Sequence, residues 1–226
     1  MADLLKKNDL HEYQQYSVNF IIEHPVAAVL LDCGLGKTVT SLTAINDLMF
    51  DYFEVHRVLV ICPLRVGNVW ANEIQHWEHL HLLQYSVAVG SESERLAALK
   101  AQADIYIINR ENVQWLIEKS GVSFDFDMVV VDELSSFKNY QSKRFKALMK
   151  ARPKVKRMVG LTGTPSSNGL MDLFAEFKLL DMGSSVSTKP PTSPQIRGMV
   201  RLSTAINLCR VPNIGFMIRF RILRFL

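Results

Sequence analysis

The stretch Leu30–Leu42, LLDCGLGKTVTSL, decides how this chain is read. An apolar run leads into two glycines, then a lysine and a hydroxyl residue. Apolar residues then recur at helical spacing (Val39, Leu42, Ile45, Leu48, Met49). Strand, tight turn and helix in that order bring a helix N-terminus, with its unpaired N–H groups and positive dipole end, to the end of a buried strand. Gly34 and Gly36 let the backbone bend so that N–H groups converge on an anion. In the full phosphate-loop pattern a glycine stands five positions before the glycine of the Gly-Lys pair. Here Leu31 holds that position, so the strict pattern fails at its first residue. The remaining GLGKT still predicts a phosphate cradle rather than a plain turn. Lys37 is expected to reach β- and γ-phosphates, and Thr38 to offer its hydroxyl to Mg²⁺.

Working outward, short apolar runs alternate with helical patterns. Strands are predicted at Val26–Leu31, Arg57–Cys62, Tyr85–Val89, Asp104–Ile108, Asp127–Val131 and Met158–Leu161. Helices are predicted over Lys37–Met49, Asn68–His79, Arg95–Ala101, Glu111–Lys119, Ser142–Lys150 and Leu170–Leu180, with Val69, Ile74 and Trp77 facing inward on the second. Ser91–Glu94 has the S-x-x-E form of a capping box before its helix. Continuous apolar strands separated by helices imply an α/β fold, a mostly parallel sheet covered on both faces.

A second signal lies in MVVVDELSSFKN. Asp132 and Glu133 follow an apolar strand, where carboxylates face the ligand crevice of an open α/β sheet. Asp132 is expected to hold Mg²⁺ and Glu133 to polarise the attacking water. A capped helix start would favour the same residue types, but the GKT loop upstream tips the balance to chemistry.

At 226 residues with 48% hydrophobic and 21% charged residues, the chain suits one soluble α/β domain. No apolar run is long enough to span a membrane, and the polar start MADLLKKNDLHEY is not a secretory signal. Three widely spaced cysteines, Cys33, Cys62 and Cys209, form no even framework, which points to a reducing, cytoplasmic setting. The net charge of +4 does not by itself argue for nucleic acid. All 22 acidic residues lie in residues 1–182, and the acid-free segment Gly183–Leu226 supplies the basic excess. The strand–helix pattern also stops near Met182, where SSVSTKPPTSPQ reads as linker. We therefore expect a domain over 1–182 and a basic tail over 183–226, without strand–helix units and disordered or a truncated remnant. The closing FMIRFRILRFL is open to three readings: an edge strand, a membrane-surface segment, or residue without a native role.

His76, His79 and His81 cluster in QHWEHLHLL, but with no cysteine nearby they read as a solvated helix end rather than a metal site. Trp70 and Trp77, two helical turns apart, read as core. Lys143, Arg144, Lys146 and Lys150 read as a solvated helix face.

From Leu10 to Met182 the chain resembles the first RecA-like lobe of a Swi/Snf-type ATPase in helicase superfamily two. LHEYQ (Leu10–Gln14) resembles the element whose glutamine, here Gln14, reads adenine. DCGLGKT resembles motif I, LVICPLRVGNVWANEIQHW motif Ia, and DELSSFKN motif II. LTGTPSSNGLMDLF resembles motif III, with Gly163, Thr164, Pro165 and Asn168. INREN sits where motif Ib lies but lacks the usual Thr-Thr-Tyr. Leu134 and Ser135 stand where the family commonly has Ala-His.

The resemblance implies a DNA-dependent, ATP-hydrolysing lobe that uses ATP and Mg²⁺. Gln14, Gly34, Gly36, Lys37 and Thr38 would hold the nucleotide, Thr38 and Asp132 the metal, and Thr162 and Thr164 would couple ATP to movement. It implies a duplex DNA partner held at Pro63, Arg65, Asn109 and Arg110. It also implies a second RecA-like lobe, in trans or missing from a truncated or frame-shifted product. The competing readings are a non-catalytic nucleotide-binding fragment, an RNA helicase, and a restriction-type motor subunit.

Overall fold

The computed structural model describes residues 4–163, 170–182, 206–211 and 215–220. Their strands form one eight-stranded sheet, in the order β3-β4-β2-β5-β6-β1-β8-β7. The parallel strands are β1 (Val26–Leu31), β2 (Val58–Cys62), β3 (Tyr85–Ala88), β4 (Ile105–Asn109), β5 (Met128–Asp132) and β6 (Arg157–Thr162). Each matches a predicted run to within a residue or two. β4 and β5 each extend one residue further, to Asn109 and Asp132, so that the polar residue ending each strand belongs to the ladder.

Seven helices are described: α1 (Glu12–Glu23), α2 (Lys37–Phe50), α3 (Gly67–His76), α4 (Glu92–Lys100), α5 (Val113–Glu118), α6 (Lys143–Ala151) and α7 (Leu170–Asp181). α1 adds a helix beyond those read from periodicity. Successive residues of each strand point to opposite faces, and each face has its own core. On one side Val58, Val60, Ile105, Ile107, Met128 and Val130 meet Val18 and Ile21 of α1, Leu42, Ile45 and Leu48 of α2, and Trp70 of α3. On the other, Leu59, Ile61, Ile108, Val129 and Val131 meet Leu116 of α5, Leu148 of α6 and Phe177 of α7. Burial on both faces explains why the strands are unbroken apolar runs.

The capping box stands as predicted. The Ser91 hydroxyl accepts from the Glu94 N–H at 3.3 Å, and Glu94 Oε2 accepts from the Ser91 N–H at 2.6 Å. Two details differ from the sequence reading. α3 stops at His76, because Trp77 is extended and a short 3-10 turn over Glu78–Leu80 follows. Within α3, Val69 is exposed and Trp70 faces the core in its stead.

The tail brings a further difference. β7 (Ile206–Val211) and β8 (Gly215–Phe220) pair antiparallel, and β8 lies antiparallel beside β1. The tail thus adds two strands to the sheet where no strand–helix unit was expected. Both segments are short and rich in apolar residues (INLCRV and GFMIRF), and an antiparallel pair needs no crossover helix. Of the readings left open for FMIRFRILRFL, a strand describes Phe216–Phe220, but β8 lies between β1 and β7 rather than at the sheet edge.

Candidate active site

All six parallel strands end on one rim, where ligands bind in open α/β sheets. The order β1–β6–β5–β2–β4 fixes what stands beside what. At one end lie the loop after β1, then Thr162 closing β6, then Asp132 closing β5. Beyond them lie Cys62 and Pro63 after β2, and Asn109 and Arg110 after β4.

The loop between β1 and α2 owes its shape to its glycines. Gly34 has φ +84° and Gly36 has φ +71°, a region that side chains disfavour. A Cβ on Gly36 would stand 2.2 Å from Gln14 Nε2, so position 36 must be glycine for Gln14 to reach the loop. A Cβ on Gly34 would meet nothing within 4 Å, so space is open above the loop. Gln14 is buried in the first turn of α1. Its Oε1 accepts from the His11 N–H at 2.9 Å, and its Nε2 donates to the Leu35 carbonyl at 3.4 Å. One side chain therefore caps α1 and braces the loop. Lys37 opens α2, and its ammonium donates to the carbonyls of Leu31 and Asp32 at 2.8 and 3.0 Å. Thr38 follows it in the first turn.

Asp132 and Glu133 sit side by side but in different surroundings. Burial pushes the Asp132 carboxyl above the ordinary carboxylate range, and the charge of Glu133 adds to this. The Trp70 indole and the Lys37 ammonium pull the other way. Trp70 Nε1 donates to Asp132 Oδ2 at 2.8 Å. The sequence placed Trp70 in the core, which is correct, but missed this contact.

Glu133 has φ +63°, unusual for a residue with a Cβ. Its Oε1 accepts from Ser135 Oγ at 2.5 Å and from Thr162 Oγ1 at 3.0 Å. Two hydroxyls from separate elements thus aim one strained carboxylate. Leu134 fits because β6 has a glycine below it: a Cβ on Gly160 would stand 2.6 Å from Leu134 Cδ2. Thr164, Pro165 and Asn168 lie outside the described residues.

The hard oxygens of Thr38 and Asp132 are the donor types Mg²⁺ takes. With the open space over Gly34, the residues present fit a metal–nucleotide pair.

Further along the rim, Pro63 precedes a 3-10 turn over Leu64–Val66 that carries the exposed Arg65. Asn109 caps the next turn through its side chain, which accepts from the Glu111 N–H at 3.2 Å. Arg110 and Arg144 both donate to Glu111 Oε1, at 3.1 and 3.2 Å. So Arg144, read as part of a solvated face, stands close to Arg110. Cys62 lies between this region and Asp132. Burial, with the charge of Asp132, pushes its thiol up to about 12, partly offset by Arg110, and makes it a packing residue.

The histidines hold no metal cluster among the described residues. His76 and His81 are exposed as expected. His79 is half-buried and pairs with Thr43 Oγ1 at 2.9 Å, so it packs on α2 rather than ending a helix in solvent.

Residues 13–189 match the SNF2-related domain. The chain belongs to that family. It is 36% identical over 178 residues to "Putative protein p41" of Acyrthosiphon pisum secondary endosymbiont phage 1, covering 76% of this chain and 39% of that protein. The Sulfolobus solfataricus SWI2/SNF2 ATPase core domain is similar at 27% identity and TM-score 0.63, over 77% of this chain and 35% of that one. The same core in complex with dsDNA shares the fold at TM-score 0.70 and 24% identity, over 90% of this chain and 45% of that one. The chain thus spans less than half the length of these relatives. Members of the SNF2-related family use nucleotide, and the RecA-like α/β fold expected from sequence is the fold found. No helix among the described residues is long and apolar enough to cross a membrane.

Proposed function

We propose that this chain is the ATP-binding lobe of a DNA-dependent ATPase of Swi/Snf type. The observation that carries the reading is the convergence of Lys37, Asp132, Glu133 and Thr162 at one end of the rim, from separate parts of the sequence. Lys37 exchanges the carbonyls of Leu31 and Asp32 for phosphate oxygens, guided by the N-terminus of α2. Thr38 and Asp132 would hold Mg²⁺, which would supply positive charge against the phosphates. Glu133 accepts the proton of the attacking water, with its orientation fixed by Ser135 and Thr162. Gln14 reads the adenine, and Thr162 with Thr164 couples the site to movement.

The nucleic-acid partner we infer is duplex DNA, with Pro63, Arg65, Asn109 and Arg110 contacting one strand's phosphates. Such contacts position without reading sequence and weaken with salt. A second lobe facing the nucleotide would supply arginine fingers. Without one, phosphoryl transfer is slower by about 10³–10⁵, so turnover by this chain alone is expected to be weak.

The test is steady-state ATP hydrolysis by the purified chain, with and without duplex DNA, beside Lys37→Ala. DNA-stimulated turnover lost in the variant supports the reading. Failure to bind Mg·ATP sinks it. Stimulation by RNA but not by duplex DNA would favour the RNA-helicase alternative, and binding without turnover even when a second lobe is added would favour a non-catalytic fragment.

A further inference from the structure

We propose that Trp70 is the positioning residue of the Asp132 carboxylate, and that it ties this carboxylate to the turn carrying Arg65. The inference rests on the reading of Asp132 as the metal-holding group. Trp70 is completely buried. A buried indole N–H needs an acceptor, and a backbone carbonyl would serve. Trp70 instead spans 62 residues of sequence to donate to one oxygen of a carboxylate that is itself desolvated. Committing Oδ2 to the indole, alongside the Glu133 backbone N–H that also hydrogen-bonds this carboxylate, leaves the remaining lone pairs to meet a cation. It also fixes the rotation of the carboxylate plane. Outer partners of this kind orient a ligating carboxylate and are worth about 10–100-fold in metal affinity.

The second observation is where Trp70 sits. α3 begins at Gly67, directly after the 3-10 turn Leu64–Val66, and Trp70 lies in its first turn. The turn is closed by the Val66 N–H on the Pro63 carbonyl at 2.9 Å. Arg65 and Trp70 therefore ride on one continuous piece of helical backbone. The indole is buried in the core that includes Ile107, Val130 and Cys62. A phosphate that pulls on Arg65 shifts the indole, and with it the Asp132 carboxylate that meets the metal. The sequence separates these groups, whereas the sheet order β5-β2 makes them neighbours.

The test uses the purified full chain and a fluorescent ATP analogue titrated at rising Mg²⁺. In the wild type, Mg²⁺ tightens nucleotide binding, and Asp132→Asn removes that effect. Trp70→Phe, which keeps an aromatic core and loses the N–H, raises the half-maximal Mg²⁺ about 10-fold or more, with metal-free nucleotide binding unchanged. Duplex DNA shifts the Mg²⁺ requirement of the wild type and not that of Trp70→Phe. If Trp70→Phe does not fold, benzothienylalanine at position 70 keeps the bicyclic shape and replaces the N–H with sulfur. An unchanged Mg²⁺ requirement in the donor-free variant, with Asp132→Asn still defective, overturns the role of Trp70 alone. Retained Mg²⁺ dependence in Asp132→Asn overturns the reading of Asp132, and this inference with it. A DNA shift that persists without the indole N–H overturns the link to Arg65.

Discussion

At the β1–β6–β5 end of the rim, Lys37, Asp132, Glu133 and Thr162 are each gripped by other groups of the protein. At the β2–β4 end, Arg65 stands exposed, and Arg110 shares a half-exposed carboxylate with Arg144. The contrast is one of dielectric and of freedom. In the gripped half, charges are partly out of water and each oxygen or nitrogen has an assigned direction. There, geometry carries the energy and small displacements are expensive. In the exposed half, water screens the charges and long side chains can rearrange. There, the amount of charge matters more than its exact orientation. Substitutions that preserve charge should therefore be harmful in the first half and tolerated in the second.

The sharpest break in this comparison is Glu133→Gln. Glutamine keeps an acceptor for Thr162 but cannot take a proton. Turnover should fall by about 10²–10⁴ with Mg·ATP binding retained, which equilibrium binding beside steady-state hydrolysis will measure. Equal turnover in the variant would remove Glu133 from the chemistry.

Next in size is Lys37. A charged hydrogen bond contributes about 1.5–3 kcal/mol, so Lys37→Ala should weaken nucleotide binding by about 10–100-fold at the same constants. Lys37→Arg should recover little of it, because a longer planar guanidinium does not place its charge where the compact ammonium does. Isothermal titration of both variants checks this. Recovery by arginine would mean that the gripped half is more forgiving than its geometry implies.

A smaller effect is expected at Thr162→Val. The change removes one of two hydroxyls on Glu133 while leaving Ser135 in place. Losing one such bond is worth about 1 kcal/mol, so turnover should drop by roughly fivefold with KM unchanged. A change confined to KM would show that Thr162 acts on the nucleotide rather than on Glu133.

How much of this was legible in the sequence also differs between the halves. The strand–turn–helix after β1 could be read because its logic is local: strand, glycines, lysine and helix follow one another within a dozen or so residues. Asp132 and Glu133 could be read because a strand end projects its residues to the rim. What could not be read depends on neighbours brought together by the sheet. Leu134 looked like a departure from the Ala-His of related motifs, yet Gly160 on the adjacent strand makes room for it. The Trp70 contact has no local signature, since a buried tryptophan reads as core whatever its N–H meets. Val69 is exposed where Trp70 beside it is buried, so the inward face of α3 is one residue out of step with the sequence reading. Of the β7–β8 pair, a strand was one of three readings open for the closing residues, whereas β7 lies in a segment whose composition break hid it.

The smallest expected effect tests the exposed half. If Arg65 and Arg110 each neutralise one phosphate, alanine at either should weaken duplex binding uniformly across sequences. It should also reduce the slope of log affinity against log salt by about one. Lysine at either position should restore most of both, since a screened point charge meets the same need. Glu111→Gln provides the opposite sign. It removes the carboxylate shared by Arg110 and Arg144, frees both guanidiniums, and should strengthen DNA binding modestly while steepening the salt slope. Fluorescence anisotropy at several salt concentrations reads all of these together. If lysine fails to replace arginine, the exposed half relies on bidentate geometry after all, and the two ends of the rim are more alike than their burial suggests.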